Sequence, residues 1–258
     1  MEQDRLSIII PVFNRFEVLQ NAISSVLKCV NPHYELEIIV VNDGSTDGDY
    51  SFYESDFVRV FNQENKGVSA ARNQGIKLST GNWLFFLDAD DEIYNNSLLY
   101  RYLSVKKSGK LFICGAYYIT YDNVIMSKKT AKLFWLPIYH HLPFRNVIAT
   151  STVGLHRKLI QDQEFFPEHI GRSEDWIAWN KVVSSSNATY VKEVIAIKNE
   201  DGLGITHREE LAREKQQRLK ILYRNISMMD LNHKTKFRLK FGLKLRLMVV
   251  NTINLLHS

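Results

Sequence analysis

The chain has 258 residues, 45% of them hydrophobic and 24% charged; this ordinary globular composition excludes wholesale disorder and supplies a core for one large α/β domain or two small ones. Two cysteines, Cys29 and Cys114, neither in a CxxC pair, exclude a disulfide framework and a cysteine-based zinc site. The formal net charge of +5 is unevenly spread, with no acidic residue after Asp230 while Lys234, Lys236, Arg238, Lys240, Lys244 and Arg246 crowd the tail. Such a patch suits an anionic partner, nucleic acid or an acidic membrane face, or is simply a solvated surface.

In chain order, Met1-Glu2-Gln3-Asp4-Arg5 carries no basic leader region, and the apolar run after it is broken by Pro11 and Asn14, so no signal peptide is expected. Leu6 to Val12 is a continuous apolar, β-branched run and reads as a strand buried on both faces. Phe16 to Val30 has helical spacing in Val18, Leu19, Ala22, Ile23, Val26 and Leu27. Glu35 to Asn42 reads as a second buried strand and Asp56 to Phe61 as a short third. Val68 to Leu78 predicts a helix rich in small residues, and Trp83 to Leu87 a fourth strand ending abruptly in Asp88-Ala89-Asp90-Asp91. Strand–helix alternation with short loops predicts an α/β fold with a doubly wound, mostly parallel sheet.

Beyond Ser97 the pattern loosens. Residues 98–108 predict a helix, 111–126 strands, and 131–150 an irregular aromatic stretch containing Trp135, Pro137, His140, His141 and Pro143. Ser173 to Ser184 predicts a helix with a Ser-Glu-Asp start, where carboxylates lie beside unpaired amides. Thr206 or His207 opens a helical segment running to about Asp230. From Lys236 to Leu247, Phe237, Leu239, Phe241, Leu243, Leu245 and Leu247 alternate with mostly basic neighbours. A helix scatters those charges and a strand gathers them; the helical reading is kept because the preceding segment is helical and only Gly242 interrupts the run. No segment offers the ~18 uninterrupted apolar residues of a membrane helix, and a cytoplasmic location is expected.

Ligands of doubly wound sheets bind outside the carboxyl ends of the strands. Those ends carry Phe13-Asn14-Arg15, Asp43-Gly44-Ser45 and Asp88-Ala89-Asp90. Asp88 and Asp90, two residues apart after a buried strand, can hold one hard divalent cation together with a polyphosphate; an acidic turn is the plain alternative. Asp43 can accept from a base N–H or a ribose hydroxyl, and Gly44 permits close approach. Phe13 offers a ring for a base, while Pro11 stiffens the strand end. Lys66 and Arg72 bring cations to the same edge, where Arg72 can pair with Asp43 or Asp88 or reach a diphosphate.

Taken in order, PVFNR (11–15), VVNDGSTD (40–47), NKGVSAARNQGI (65–76) and LFFLDADD (84–91) resemble the family 2 glycosyltransferases of the GT-A fold. The resemblance implies three regions: a Rossmann-like nucleotide-sugar-binding half at 1–97, an acceptor-binding half with the catalytic base at 98–207, and a helical, basic tail at 208–258. It implies nucleotide-sugar contacts from Pro11, Val12, Phe13, Asn14, Arg15, Asp43, Lys66, Gly67, Arg72, Asp88, Ala89 and Asp90. Mn2+ or Mg2+ would be held by Asp88 and Asp90, with Asp90 the more direct ligand and His207 a further candidate. The family's Glu-Asp pair matches Glu174 and Asp175, which makes Asp175 the candidate general base and Glu174 an acceptor-side residue. The chain lacks a QxxRW motif after Asp175, which sets it apart from the processive polymer synthases.

The expected activity is inverting transfer of a hexose or N-acetylhexosamine from a nucleoside diphosphate sugar to a hydroxyl of a glycan, with UDP favoured over GDP or dTDP. A soluble or lipid-linked acceptor in bacterial lipopolysaccharide, capsule or exopolysaccharide assembly fits a tail able to touch the anionic inner-membrane surface. Two rivals are a sugar-phosphate nucleotidyltransferase and a non-catalytic nucleotide-sugar or nucleic-acid scaffold. PVFNRF lacks the first rival's Gly-rich basic loop. Against the second, the cations lie at one end and the edge acids repel phosphate, so no nucleic acid partner is expected.

Overall fold

The computed structural model describes residues 3–122, 124–130, 142, 146–161, 164–170, 172–183, 187–199, 212–228 and 231–256, with backbone alone at 212–218, 228 and 249–256. In chain order the elements are β1 (Arg5–Val12), α1 (Phe16–Leu27), β2 (Glu35–Asp43), β3 (Val58–Gln63), α2 (Val68–Leu78), β4 (Trp83–Phe86), β5 (Asp91–Ile93), α3 (Ser97–Ser108), β6 (Phe112–Tyr121), β7 (Val124–Lys129), β8 (Gly154–His156), α4 (Glu174–Val182), β9 (Ala188–Asn199), α5 (Ala212–Met228) and α6 (His233–Leu256). Short 3-10 turns lie at Tyr50–Tyr53, Thr150–Thr152 and Arg157–Leu159.

Among the described residues the strands form one sheet in the order β3-β2-β1-β4-β8-β6-β9-β5, with β7 bonded to β6. The longest registers, β1–β2, β2–β3 and β6–β9, are parallel, as is β1–β4. Antiparallel pairing joins β8 to β4 and β6, β5 to β9, and β7 to β6. This is the doubly wound, mostly parallel α/β sheet that the strand–helix alternation predicts.

Side-chain alternation along the strands builds a core on each face. Leu6, Ile8, Ile10, Ile38, Val40 and Phe85 pack with Leu19, Ile23 and Val26 of α1 and Leu98 and Tyr102 of α3. Ile9, Leu84 and Phe86 point the other way, into a cluster holding Trp176 and Trp179 of α4, Leu219 and Leu222 of α5, and Leu239 and Leu243 of α6. Ile39 and Val41 meet Ala71 of α2. Cover on both faces is why β1 and β2 are continuous apolar runs rather than alternating ones.

Three strands have no counterpart in the sequence reading: β5, β8 and β9. β5 places Asp91 inside the sheet rather than in the acidic turn. Ser173 precedes α4 at φ 73° without a side-chain cap bond, so the expected serine cap is absent and the two carboxylates alone face the helix start. The alternating tail lies within one helix, α6. There Thr235, Leu239 and Leu243 are buried while Phe237 and Phe241 are exposed, so alternate apolar residues belong to two opposite faces. His207, His140, His141, Trp135, Pro137, Pro143 and the start of the predicted helix at Thr206 lie outside the described residues. No helix among the described residues is long and apolar enough to cross a membrane.

Candidate active site

The carboxyl ends of β1 and β2 are knitted into one rim. Asn14, in the left-handed region at φ 49°, donates its amide to Ser45 Oγ at 2.9 Å and accepts from the Thr46 amide at 2.9 Å. Asp47 accepts from the Phe16 amide at the start of α1 and from the Tyr50 hydroxyl; Tyr50 in turn accepts from the Arg15 amide. Pro11 and Val12 are buried, whereas Phe13 is left 49% exposed. That ring is free to lie against a flat ligand.

Asp43 is buried at the end of β2 and already well occupied. Oδ1 accepts from Gln63 Nε2 at 2.7 Å and the Lys66 amide at 2.9 Å, and Oδ2 accepts from the Gly67 amide at 2.8 Å. A carboxylate offers about four lone-pair directions, so one remains for a ligand. Its first task is to clamp the Asn65-Lys66-Gly67 turn that leads into α2. Gly44 makes that turn possible: it sits at φ +76°, and a Cβ there would stand 2.8 Å from the Asn65 backbone nitrogen.

Arg72 rises from α2 into the middle of the site, buried and lying 5.3 Å from the centre of the Phe166 ring. Nη2 donates to Asp88 Oδ1 and Nη1 to Glu174 Oε1, each at 2.8 Å. Of the partners open to it in the sequence, Arg72 takes Asp88 and not Asp43. Burial opposes its charge, but Asp88 and Glu174 more than compensate and hold the guanidinium ionised. One planar fork thus ties the acidic turn of the first half to the Glu-Asp pair of the second.

The turn itself rests on a polar underlayer. The Asp88 amide donates to Ser151 Oγ at 3.1 Å, and that hydroxyl donates to the buried Asp91 at 2.5 Å. Arg101 donates to the Ser151 carbonyl at 2.6 Å, and Asn199 to the Asp90 carbonyl at 2.9 Å. Lys198 stands opposite Asp91 in the β5–β9 register. Burial resists ionisation of Asp88, yet Arg72 and then Lys198 pull it below the usual carboxylate range. Asp90 is raised by burial and by the Asp88 charge, and its carboxylate lies 4.0 Å from Arg15 Nε. Burial, with Asp88 and Asp90 adding to it, pushes Asp91 up to about 8.

Asp175, half-buried at the start of α4, is held on three sides. Oδ2 accepts from Asn146 Nδ2 at 2.8 Å and Thr150 Oγ1 at 3.4 Å, and Oδ1 accepts from the Trp176 amide at 2.6 Å. Burial and then the Glu174 charge push its carboxyl up to about 6, against the pull of Arg72 and Asn146. A carboxylate poised near neutrality and fixed in orientation is suited to take a proton.

Asp88 and Asp90 are both partly exposed, at 28% and 29% of their side chains. The donors are all hard oxygens two residues apart on one turn, so the pair fits a divalent cation. Among the described residues no group of three His, Cys, Asp or Glu could hold a metal by itself; remaining ligands would come from phosphate and water. Asn146, Thr150, Ser151 and Lys198 carry no sequence expectation. Only the hydroxyl run Thr150-Ser151-Thr152 ahead of an apolar strand could have drawn attention.

A parallel nucleotide-type sheet with an acidic turn at its carboxyl edge and a second carboxylate pair across an arginine defines the GT-A class. The sequence matches the glycosyl transferase family 2 over residues 7–163, and the chain belongs to that family. An uncharacterized glycosyltransferase of Rickettsia felis is 28% identical over 196 residues, 72% of this chain and 31% of that protein. The chain thus spans about a third of the length of the first curated relatives it matches. Among solved structures, Staphylococcus aureus TarS residues 1–349 in complex with UDP-GlcNAc superposes with a TM-score of 0.68 at 18% identity, covering 92% of this chain and 70% of that 1–349 chain. The mannosyltransferase PcManGT of Pyrobaculum calidifontis, in complex with GDP-Man and Mn2+, gives a TM-score of 0.63 at 15% identity, covering 98% of this chain and 74% of that one. These likenesses establish the fold.

Proposed function

We propose that the chain is an inverting, non-processive glycosyltransferase that moves a sugar, a hexose or N-acetylhexosamine, from a nucleoside diphosphate to a hydroxyl of a glycan acceptor. The observation that carries this reading is the pairing of Asp175, oriented and raised to about 6, with an acidic turn linked to it through Arg72. The site can then receive a diphosphate on one side and an alcohol on the other. UDP is favoured as carrier, in keeping with the nucleotide sugar bound by TarS.

Phe13 would lie against the base, and Asp43 would offer its remaining lone pair to a base N–H or ribose hydroxyl. Asp88 and Asp90 would hold Mn2+ or Mg2+, as the PcManGT complex with Mn2+ suggests by analogy. When bound, that ion neutralises charge on the departing diphosphate. Asp175 takes the acceptor's O–H proton as the oxygen bonds to the anomeric carbon; the bond from that carbon to the diphosphate oxygen breaks on the opposite face, and its electron pair leaves with the nucleotide. A single base and in-line displacement invert the anomeric centre.

The acceptor is read as a lipid-linked or soluble glycan of bacterial surface-polysaccharide assembly, with the basic tail touching the anionic cytoplasmic face of the inner membrane. The division into a donor half at 1–97, an acceptor half at 98–207 and a tail at 208–258 belongs to the same reading. The test is a panel of nucleotide sugars with Mn2+, reading donor hydrolysis and then transfer, with linkage by NMR. Asp175→Asn should lower transfer by at least about a hundredfold while nucleotide affinity stays unchanged. Full transfer by that variant would remove the base assignment.

A further inference from the structure

The last helix carries two apolar faces. One, with Thr235, Leu239 and Leu243, is buried against the core, and Leu239 and Leu243 share the cluster that contains Trp176 and Trp179. The other faces solvent. Phe237 is 64% exposed, Phe241 49%, Leu245 38% and Met248 57%, and their spacing places all four on one side of the helix. Phe237 and Phe241 stack with ring centres 6.2 Å apart and planes within 10°. Exposed Lys234 and Lys244 lie on the same side. Lys240 turns to the flank and lies over the Tyr223 ring at 5.4 Å.

Two stacked phenylalanines, each about half or more exposed on a helix already anchored on its other face, form an apolar surface patch. A hydrophobic patch with cations at its border and no acidic residue from Leu231 to Ser258 is complementary in both chemistry and sign to an anionic lipid surface: rings enter the acyl boundary and ammonium groups meet the phosphates. We infer that the Phe237–Phe241–Leu245–Met248 face of α6, with Lys234 and Lys244, docks on an anionic bilayer. This deepens the membrane contact proposed above by assigning it to one helix face and giving the aromatic pair, rather than bulk tail charge, the deciding part. Because α6 shares its core with α4, docking there holds the helix that carries Asp175 in its first turn on a membrane-bound platform.

The full chain is spun with vesicles of phosphatidylcholine alone and of phosphatidylcholine mixed with phosphatidylglycerol, at low and high salt. The chain should sediment with the anionic vesicles and leave them as salt rises. F237S/F241S should weaken that partitioning by at least about tenfold and K234Q/K244Q by about tenfold, with unchanged far-UV circular dichroism because all four side chains are exposed. Failure of the native chain to bind anionic vesicles overturns the inference. So does equal binding by F237S/F241S, or self-association that this variant loses without any vesicle binding, which would mark the face as a contact between copies. The assay contains no nucleotide sugar. A chain that binds vesicles yet transfers nothing therefore sinks the enzymatic reading and leaves this one standing, and the converse outcome separates them equally.

Discussion

Asp175 and its neighbours set the pH behaviour of the site. The carboxyl is raised to about 6 because burial and Glu174 favour its neutral form. A base must be ionised to accept a proton, so activity should fall as pH drops through about 6 and level off above it. Asn146 donates to Asp175 Oδ2 at 2.8 Å, a bond that favours the charged form. Asn146→Ala should therefore move the acid limb of the pH–rate profile upward by about one unit. A limb that stays in place would separate Asn146 from the base. Arg72 makes a different claim. Removing it leaves Asp88 and Glu174 facing one another's site without their shared cation, so Arg72→Met should destabilise the fold by about 3 kcal/mol in chemical denaturation. Arg72→Lys should not restore it, because one ammonium cannot replace a fork that spans two carboxylates.

At the scale of elements, what the sequence discloses depends on how local the cause is. β1, β2 and α2 were readable because each is fixed by its own residues: a run of apolar side chains covered on both faces, or a helix bounded by Gly67 and Ser79. β5 and β8 are three residues each, too short for any period to show, and exist only because longer neighbours bind them. β9 is long but pairs with β6 through register shifts at Gly115, Ala116 and Tyr117, and its burial pattern never settles into alternation. The acidic turn could be seen in advance, whereas its underlayer of Ser151, Arg101 and Lys198 could not, since those residues arrive from three distant segments. The turn after β2 is local again and gives a local prediction. Gly44→Ala forces a side chain into positive φ and within 2.8 Å of the Asn65 backbone, which should cost about 2 kcal/mol in a denaturant titration. An unchanged midpoint would mean that the Asn65–Gly67 turn can move aside.

Over the whole molecule the carboxyl edge of the sheet is an electrostatic device left incomplete by the chain itself. Asp88, Asp90, Asp91 and Glu174 meet Arg72, Lys198 and Arg15 there, and Asp90 is raised by burial and then by the Asp88 charge. A nucleotide alone would bring a diphosphate up to the Asp88 and Asp90 carboxylates, and a divalent ion alone would find too few protein oxygens to displace its water. Each supplies what the other lacks, so the two should stabilise the fold together far more than separately. Ligand in about hundredfold excess over its dissociation constant adds about 2.7 kcal/mol, which for a chain of this size raises the melting temperature by roughly 5–10 °C. UDP with Mn2+ should show that shift in differential scanning fluorimetry, and either one alone only a small part of it. Asp90→Ala should keep the unliganded melting temperature, since its carboxylate sits 4.0 Å from Arg15 and lies outside the Arg72 bridge, but should lose the cooperative gain. A full shift with UDP alone would mean that Arg15, Arg72 and Lys198 suffice for the diphosphate, and the two-carboxylate cation site would have to be abandoned.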